Sequence, residues 1–221
     1  MPPDDPMRSF WRERWSEGRI GFHQSDFNRH LVAHGRAVFG EPPRRVLVPL
    51  SGKSLDLLWL EAQGYEVVAA EYAERAVNEF HDENERPVEI GTALDLEVRR
   101  SGSITTFVAD YFALTRDHVG PIHAIYDRAA LVAIAPERRT EYVAHSLELL
   151  ERGGTVLLLT IDYPQGEKEG PPYSVPDAVV RELYEPRRSV DCLHAEDVID
   201  RHPAWREQGV RRLVERVYRL S

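Results

Sequence analysis

The segment 52–54 (GKS) lies between an apolar run and a helical repeat, a position at which α/β proteins often bind a nucleotide. A triphosphate-binding loop needs a further glycine five residues before Gly52, so that successive backbone amides surround the phosphate, and Leu47 stands there. A dinucleotide site needs three glycines in this turn, and residues 49–51 are Pro-Leu-Ser instead. The turn therefore disfavours ligands that bind through phosphate.

An acidic residue follows at the end of the next apolar run. Glu71 lies 19 residues after Gly52, where nucleoside-binding folds place the carboxylate that holds the ribose hydroxyls. A ligand with a nucleoside but no phosphate fits both observations, and S-adenosylmethionine is such a ligand. A glutamate that ends a strand is also often only a surface residue, so on spacing alone both interpretations stay open.

Short β-rich runs alternate with helical repeats along the chain, which predicts a mostly parallel sheet with helices on both faces. Strands are predicted at 45–50, 65–71, 104–110, 122–127 and 155–163. Helices are predicted behind Ser54 as N-cap, over about 73–84, and from Pro136 to Gly153. Two weaker strands within 189–219 are expected to pair antiparallel at the sheet edge.

The length of 221 residues suits one domain, and we expect residues 1–221 to form it. The segment 162–177 is a long loop rich in glycine and proline, which makes it a candidate lid over a site.

Composition excludes several functions. The formal charge of −9 offers no basic face to nucleic acid or anionic lipid, and no apolar stretch approaches the roughly 20 residues of a membrane span. The acidic start differs from a secretory signal, so we expect a cytoplasmic protein. His30 and His34 have the spacing of two metal ligands, but no accompanying carboxylate motif, so we expect a solvated helix face and no metal.

Five segments together resemble the thiopurine S-methyltransferase family, in the right order and spacing, over about residues 10–219. They are FWRERWSEGRIGFHQ (10–24), VLVPLSGKSLDLLWL (46–60), ADYFAL (109–114), DRAALVAI (127–134) and GPPYSV (170–175). The resemblance implies a Rossmann-like α/β fold with a seven-stranded, mostly parallel sheet, helices on both faces and an antiparallel last strand. It also implies an N-terminal helical cover, residues 1–40, over a bound S-adenosylmethionine.

Carried over position by position, the resemblance assigns individual residues to the cofactor. The cover would place Trp11, Trp15 and Phe22 near the cationic sulfonium, which aromatic faces attract. The remaining cofactor residues that it implies are Leu50 through its backbone, Glu71 at the ribose, Asp110 and Tyr111 beside the adenine, and Arg128. An amphipathic helix whose aromatic residues only fill a core is the alternative for the cover.

Two arginines are implied as catalytic residues, Arg128 and Arg201. Methyl transfer depends mainly on aligning the acceptor sulfur with the methyl group, and an aromatic thiol is already largely ionised near neutral pH. A fixed positive charge would favour the thiolate and orient an anionic substrate. The expected activity is S-methylation of a thiopurine-like or other small thiol by a monomeric enzyme.

Three alternatives stay open at this point. The acceptor could be a selenium or tellurium oxyanion, or a biosynthetic metabolite that is methylated on sulfur, oxygen or nitrogen. The protein could bind S-adenosylmethionine without turnover. An NAD-dependent oxidoreductase is a third interpretation of the same alternating pattern of strands and helices.

Overall fold

The computed structural model describes residues 6–18 and 23–221. Its helices are α1 (Pro6–Ser16), α2 (Arg29–Phe39), α3 (Asp56–Ala62), α4 (Glu74–Glu83), α5 (Arg116–Val119), α6 (Arg139–Leu149), α7 (Asp177–Tyr184) and α8 (Pro203–Glu207). Its strands are β1 (Arg45–Pro49), β2 (Glu66–Glu71), β3 (Glu89–Ala93), β4 (Leu96–Ser101), β5 (Ile104–Val108), β6 (Ile122–Arg128), β7 (Leu150–Asp162), β8 (Val190–Asp197) and β9 (Val214–Leu220).

In the described ranges the strands form one sheet in the order β3-β4-β5-β2-β1-β6-β7-β9-β8. The five central strands, from β5 to β7, are parallel. Each of them coincides with a strand predicted from an apolar run. The α/β, Rossmann-like class is therefore confirmed.

Helices cover both faces of this centre, as the apolar runs predicted. Successive strand residues point to opposite faces, so Leu47 and Leu158 pack with α5, α6 and α7 while Val46 and Leu157 pack with α2, α3 and α4. Each of these four side chains is fully buried, and burying one such side chain contributes about 1.5–3 kcal/mol. The two apolar layers hold the carboxyl ends of the central strands in fixed positions.

The number of strands predicted by the resemblance was wrong, because the described sheet has nine strands rather than seven. The additional strands are β3 and β4, a hairpin that pairs antiparallel with β5. The hairpin gave no strand signal because it is an edge element, with Ile90 and Leu94 63% and 68% exposed and charged residues between apolar ones. A continuous apolar run marks only a strand that is buried on both faces.

The opposite edge confirms the two antiparallel strands predicted within 189–219. The last strand, β9, runs antiparallel to β7 and lies between β7 and β8. The predicted helix from Pro136 to Gly153 is shorter in the structure. A 3-10 turn at Pro136–Arg138 precedes α6, and Leu150 is already extended and paired with Ile122 of β6.

The start of α3 also differs slightly from the prediction. Ser54 was predicted as the N-cap, whereas Leu55 holds that position and the Ser54 hydroxyl accepts a hydrogen bond from the Asp56 amide at 3.2 Å. Among the described helices, none combines the length and apolarity needed to cross a membrane.

Candidate active site

A cavity of about 670 Å³ opens at the carboxyl ends of the central strands. Its floor contains residues that end or follow four neighbouring strands: Leu50 after β1, Glu71 of β2, Ala109 after β5 and Ala129 after β6. In open α/β sheets this edge is where ligands bind. The residues predicted at strand ends therefore meet in one place.

Glu71 is held in position by the backbone. Its Oε2 accepts a hydrogen bond from the Gly52 amide at 2.8 Å, and its Oε1 accepts from the amides of Tyr72 at 2.9 Å and Ala73 at 2.7 Å. Burial raises the pKa of Glu71, and the three amides act in the opposite direction. Because a carboxylate has about four acceptor positions, Oε2 can still accept a hydrogen bond from a hydroxyl group in the cavity.

The turn after β1 is shaped for close approach and not for phosphate. Gly52 has a φ of +53°, and a Cβ atom there would lie 3.1 Å from the Trp15 ring. Its amide is already bonded to Glu71, so it does not contribute to a phosphate-binding loop. The Lys53 ammonium pairs with Glu79 at 2.9 Å and Glu83 at 2.7 Å. Both findings agree with the prediction from the sequence that this turn disfavours ligands that bind through phosphate.

The end of β5 contributes the next part of the floor. Asp110 caps the turn that follows, accepting the Phe112 amide at 3.2 Å, and it lines the cavity together with Tyr111. The Tyr111 hydroxyl lies 2.9 Å from the Ser146 hydroxyl, and the Tyr111 carbonyl accepts from His145 at 2.9 Å. Burial raises the pKa of Tyr111, so its hydroxyl stays neutral.

Helix α1 covers part of the cavity. Trp11 and Trp15 both line it, and Trp15 is 4% exposed and packs with Ala73 and Ala76 next to Glu71. The third aromatic residue predicted in this cover, Phe22, lies outside the described residues.

The two arginines predicted to be catalytic do not line the cavity in the described structure. Arg128 ends β6 and is half-buried. Burial lowers the pKa of His23, and the positive charges of Lys53 and Arg128 lower it further. Arg201 lies in the turn after β8, where its Nη2 is 2.6 Å from Glu196 and its side chain is 52% exposed. The catalytic roles of Arg128 and Arg201 stay predictions.

Other cations do line the cavity. The Arg138 guanidinium lies 4.5 Å from the centre of the Phe112 ring, and the Lys168 ammonium lies 5.1 Å from that of Trp205. Lys168 also donates to the Gln208 side chain at 2.7 Å. These residues were not predicted from the sequence, because no periodicity marks them. One available signal was the position of Lys168 inside the Gly/Pro-rich loop.

Asp127 supports the wall next to Arg128. It is 1% exposed and accepts hydrogen bonds from the Leu131 amide at 3.1 Å and the Tyr142 hydroxyl at 2.8 Å. Burial raises its pKa to about 6, while these donors act in the opposite direction. Asp127 thus fixes the turn that leads into the cavity-lining residues 132–135.

The prediction of a solvated face at His30 and His34 was wrong for His30. His30 is 4% exposed and its Nε2 lies 2.8 Å from Glu215, because α2 packs against β8 and β9 there. The His194 ring of β8 is tilted by 44° against the His30 ring, with ring centres 4.7 Å apart. In the part of the chain that the structure describes, no three His, Cys, Asp or Glu side chains are grouped so as to hold a metal ion.

Comparison of the sequence with protein families gives a match to the model of thiopurine S-methyltransferase (TPMT) over residues 7–221. A thiopurine S-methyltransferase of Pseudomonas aeruginosa (strain UCBPP-PA14) is 41% identical over 212 residues, which are 96% of this chain and 97% of that relative. One of Azotobacter vinelandii is 42% identical, with coverage of 96% and 97%.

Solved structures share the fold at low identity. The Burkholderia thailandensis 1,6-didemethyltoxoflavin-N1-methyltransferase, with bound 1,6-didemethyltoxoflavin and S-adenosylhomocysteine, has a TM-score of 0.64 and 16% identity, over 97% of this chain and 87% of that chain. A SAM-dependent methyltransferase from Methanosarcina mazei has a TM-score of 0.63 and 14% identity, with coverage of 89% and 98%.

Proposed function

Because the chain belongs to the thiopurine S-methyltransferase family, we propose that it transfers the methyl group of S-adenosylmethionine to the sulfur of a small, thiopurine-like thiol. The observation that carries this proposal is Glu71, a carboxylate held by three amides and facing a cavity at the carboxyl ends of the sheet. The acceptor position left on Oε2 suits a hydroxyl group of a ribose.

The cavity residues fit this cofactor. Glu71 would hold the ribose, Asp110 and Tyr111 would border the adenine at the next strand end, and Leu50 would contact the cofactor through its backbone. When bound, S-adenosylmethionine supplies a methyl group that is already activated by a positively charged sulfur. Trp11 and Trp15 would shield that charge, an interaction of about 0.5–2 kcal/mol for each well-placed ring.

The acceptor end of the cavity would be the part that contains Lys168 and Trp205. Aromatic rings suit a planar heterocycle, and positive charges favour the thiolate over the thiol. Alignment of two bound reactants contributes about 7–11 kcal/mol to such reactions, so these residues act chiefly by positioning.

Arg128 and Arg201 remain proposed for the substrate side. Arg201 would reach the acceptor only after releasing Glu196, and an exposed ion pair of this kind opposes that release weakly. Arg128 ends β6, directly before the cavity-lining Ala129.

We further propose that residues 1–221 act as one domain, with residues 1–40 as a cover and 162–177 as a lid. The lid proposal is supported by contacts between this loop and the region of α8. Lys168 binds Gln208, and Glu167 accepts the Arg211 amide at 3.0 Å. The formal charge of −9 supports a small-molecule acceptor rather than nucleic acid. The proposed enzyme is a monomer that acts in the cytoplasm.

Transfer of a radiolabelled methyl group from S-adenosylmethionine to a panel of aromatic thiols tests the function. We expect methylated thiol, and weaker transfer to chalcogen oxyanions and to oxygen or nitrogen acceptors. Tight binding of S-adenosylhomocysteine without transfer to any acceptor, cell extract included, would instead identify a non-catalytic binding protein. Affinity for NAD with none for S-adenosylhomocysteine would identify an oxidoreductase.

A further inference from the structure

One cation that faces the cavity has an unsatisfied hydrogen-bond donor. Arg14 of α1 is half-buried and lines the cavity, and its Nε is inaccessible to water with no hydrogen-bond partner among the described residues. Its guanidinium lies 4.5 Å from the centre of the Phe10 ring, which holds the group in place. Buried donors of this kind are normally paired, so Arg14 lacks an acceptor that a ligand would supply.

Helix α1 places Arg14 on the side that faces the cavity. The residues of α1 that line the cavity are Phe10, Trp11, Arg14 and Trp15, which occupy one face of the helix at a spacing of one turn. Arg12 lies on a different face, is exposed, and has its guanidinium 4.9 Å from the centre of the Tyr72 ring. The two arginines thus share a helix but differ in what they face.

The strand order predicts which part of the cofactor lies under Arg14. The neighbouring strands are β5, β2, β1 and β6, and their exits carry Asp110, Glu71, Leu50 and Ala129 in that order. With the adenine at β5 and the ribose at β2, the amino-acid end of the cofactor extends toward the exits of β1 and β6. Trp15, next to Arg14, contacts the first of these exits at Gly52.

The other cations of this region are engaged elsewhere. Lys53 is paired with two glutamates, and Arg128 at the end of β6 does not line the cavity. The cavity-lining Arg138 and Lys168 lie against the rings of Phe112 and Trp205. Glu71 and Asp110 make the nucleoside end acidic, so a carboxylate there would be repelled.

We propose that Arg14 binds the carboxylate of the methionine part of the cofactor. This inference rests on the proposed function. Guanidinium and carboxylate form a charge-assisted, often bidentate pair, and Nε is one of the donors that such a pair uses. Arg14 is then a binding residue for the amino-acid end only.

Two ligands separate this role from a structural one. S-adenosylhomocysteine carries the amino-acid end, whereas 5′-methylthioadenosine has the same nucleoside without it. Calorimetric dissociation constants would be measured for both ligands with the wild type, Arg14→Gln, Arg14→Lys and the control Arg12→Gln.

We expect Arg14→Gln to weaken S-adenosylhomocysteine binding about tenfold or more and to leave 5′-methylthioadenosine binding unchanged. Arg14→Lys should restore part of the loss, and Arg12→Gln should bind both ligands like the wild type. Equal losses for both ligands with Arg14→Gln, or no loss for either, would overturn the inference. If the wild type itself bound neither ligand, the proposed cofactor would fail first, and a thermal unfolding scan would show whether the protein was folded.

Discussion

The two ends of the cavity differ in whether main-chain or side-chain contacts fix their geometry. At the end proposed for the nucleoside, Glu71 is fixed by three backbone amides and Gly52 closes against Trp15, so the geometry depends on main-chain atoms. At the end proposed for the acceptor, Lys168 of a loop and Gln208, the C-cap of the short helix α8, meet through long side chains. A site of this kind can keep one cofactor while its choice of acceptor changes.

The largest effect should come from Glu71→Ala, which removes the proposed acceptor for a ribose hydroxyl and leaves three amides without a partner. We expect the affinity for S-adenosylhomocysteine to fall by about 1–3 kcal/mol, measured by calorimetry. Glu74→Ala is the matched control, because the Glu74 side chain is 63% exposed and pairs with Arg99 outside the cavity. An unchanged dissociation constant for Glu71→Ala would reject its assignment to the ribose.

Gly52→Ala should have the next largest effect, of about 1–2 kcal/mol on the free energy of unfolding, because alanine disfavours positive φ. Gly153→Ala is the control, since Gly153 has a φ of +78° with no atom within 4 Å of an added Cβ. Urea denaturation of both variants separates backbone strain from contact with Trp15. We expect cofactor affinity to fall with Gly52→Ala alone; an equal fall with Gly153→Ala would contradict a specific contact.

The buried carboxyl group of Asp127 makes the stability of the folded protein depend on pH. Its pKa rises from an ordinary 3.8 to about 6 on folding, so the folded state keeps this proton at pH values where the unfolded chain has lost it. Through this group the free energy of unfolding should increase by about 1 kcal/mol as the pH is lowered from about 7 to 5. Urea denaturation at both pH values should show a smaller change in that direction for Asp127→Asn. Identical pH profiles for the two proteins would contradict the raised pKa.

The smallest effect is expected at the acceptor end itself. Lys168→Ala should raise the KM for an anionic thiol by about threefold and leave the affinity for S-adenosylhomocysteine unchanged, because an accessible charge contributes about 0.2–1 kcal/mol. Arg36→Ala serves as the control, because its side chain is 58% exposed, pairs with Glu41 and does not line the cavity. If Lys168→Ala weakened cofactor binding instead, the division of the cavity into two ends would be wrong.

The nucleoside end could be predicted from the sequence because its residues are tied to strand ends. The apolar runs that form β1 and β2 locate Leu50 and Glu71 within a residue, and the spacing of Gly52 and Glu71 follows from one βαβ unit. The contact between them in the structure is a direct consequence of parallel pairing.

The acceptor end could not be predicted in the same way. Lys168 lies in an irregular loop and Trp205 belongs to a helix of five residues, so no periodicity relates them. The contact between Lys168 and Trp205 depends on how the loop folds. The hairpin of β3 and β4 was missed for a related reason, because an exposed edge carries no apolar repeat.

The position of β9 has a consequence for how the protein is made. Strand β8 pairs only with β9 in the described sheet, yet β9 follows it in the chain and also provides the link to β7. During synthesis β8 therefore emerges from the ribosome before its neighbour exists, with both of its backbone edges unpaired. Such edges invite pairing with other chains, so this side of the molecule is the one most exposed to aggregation until the final strand inserts.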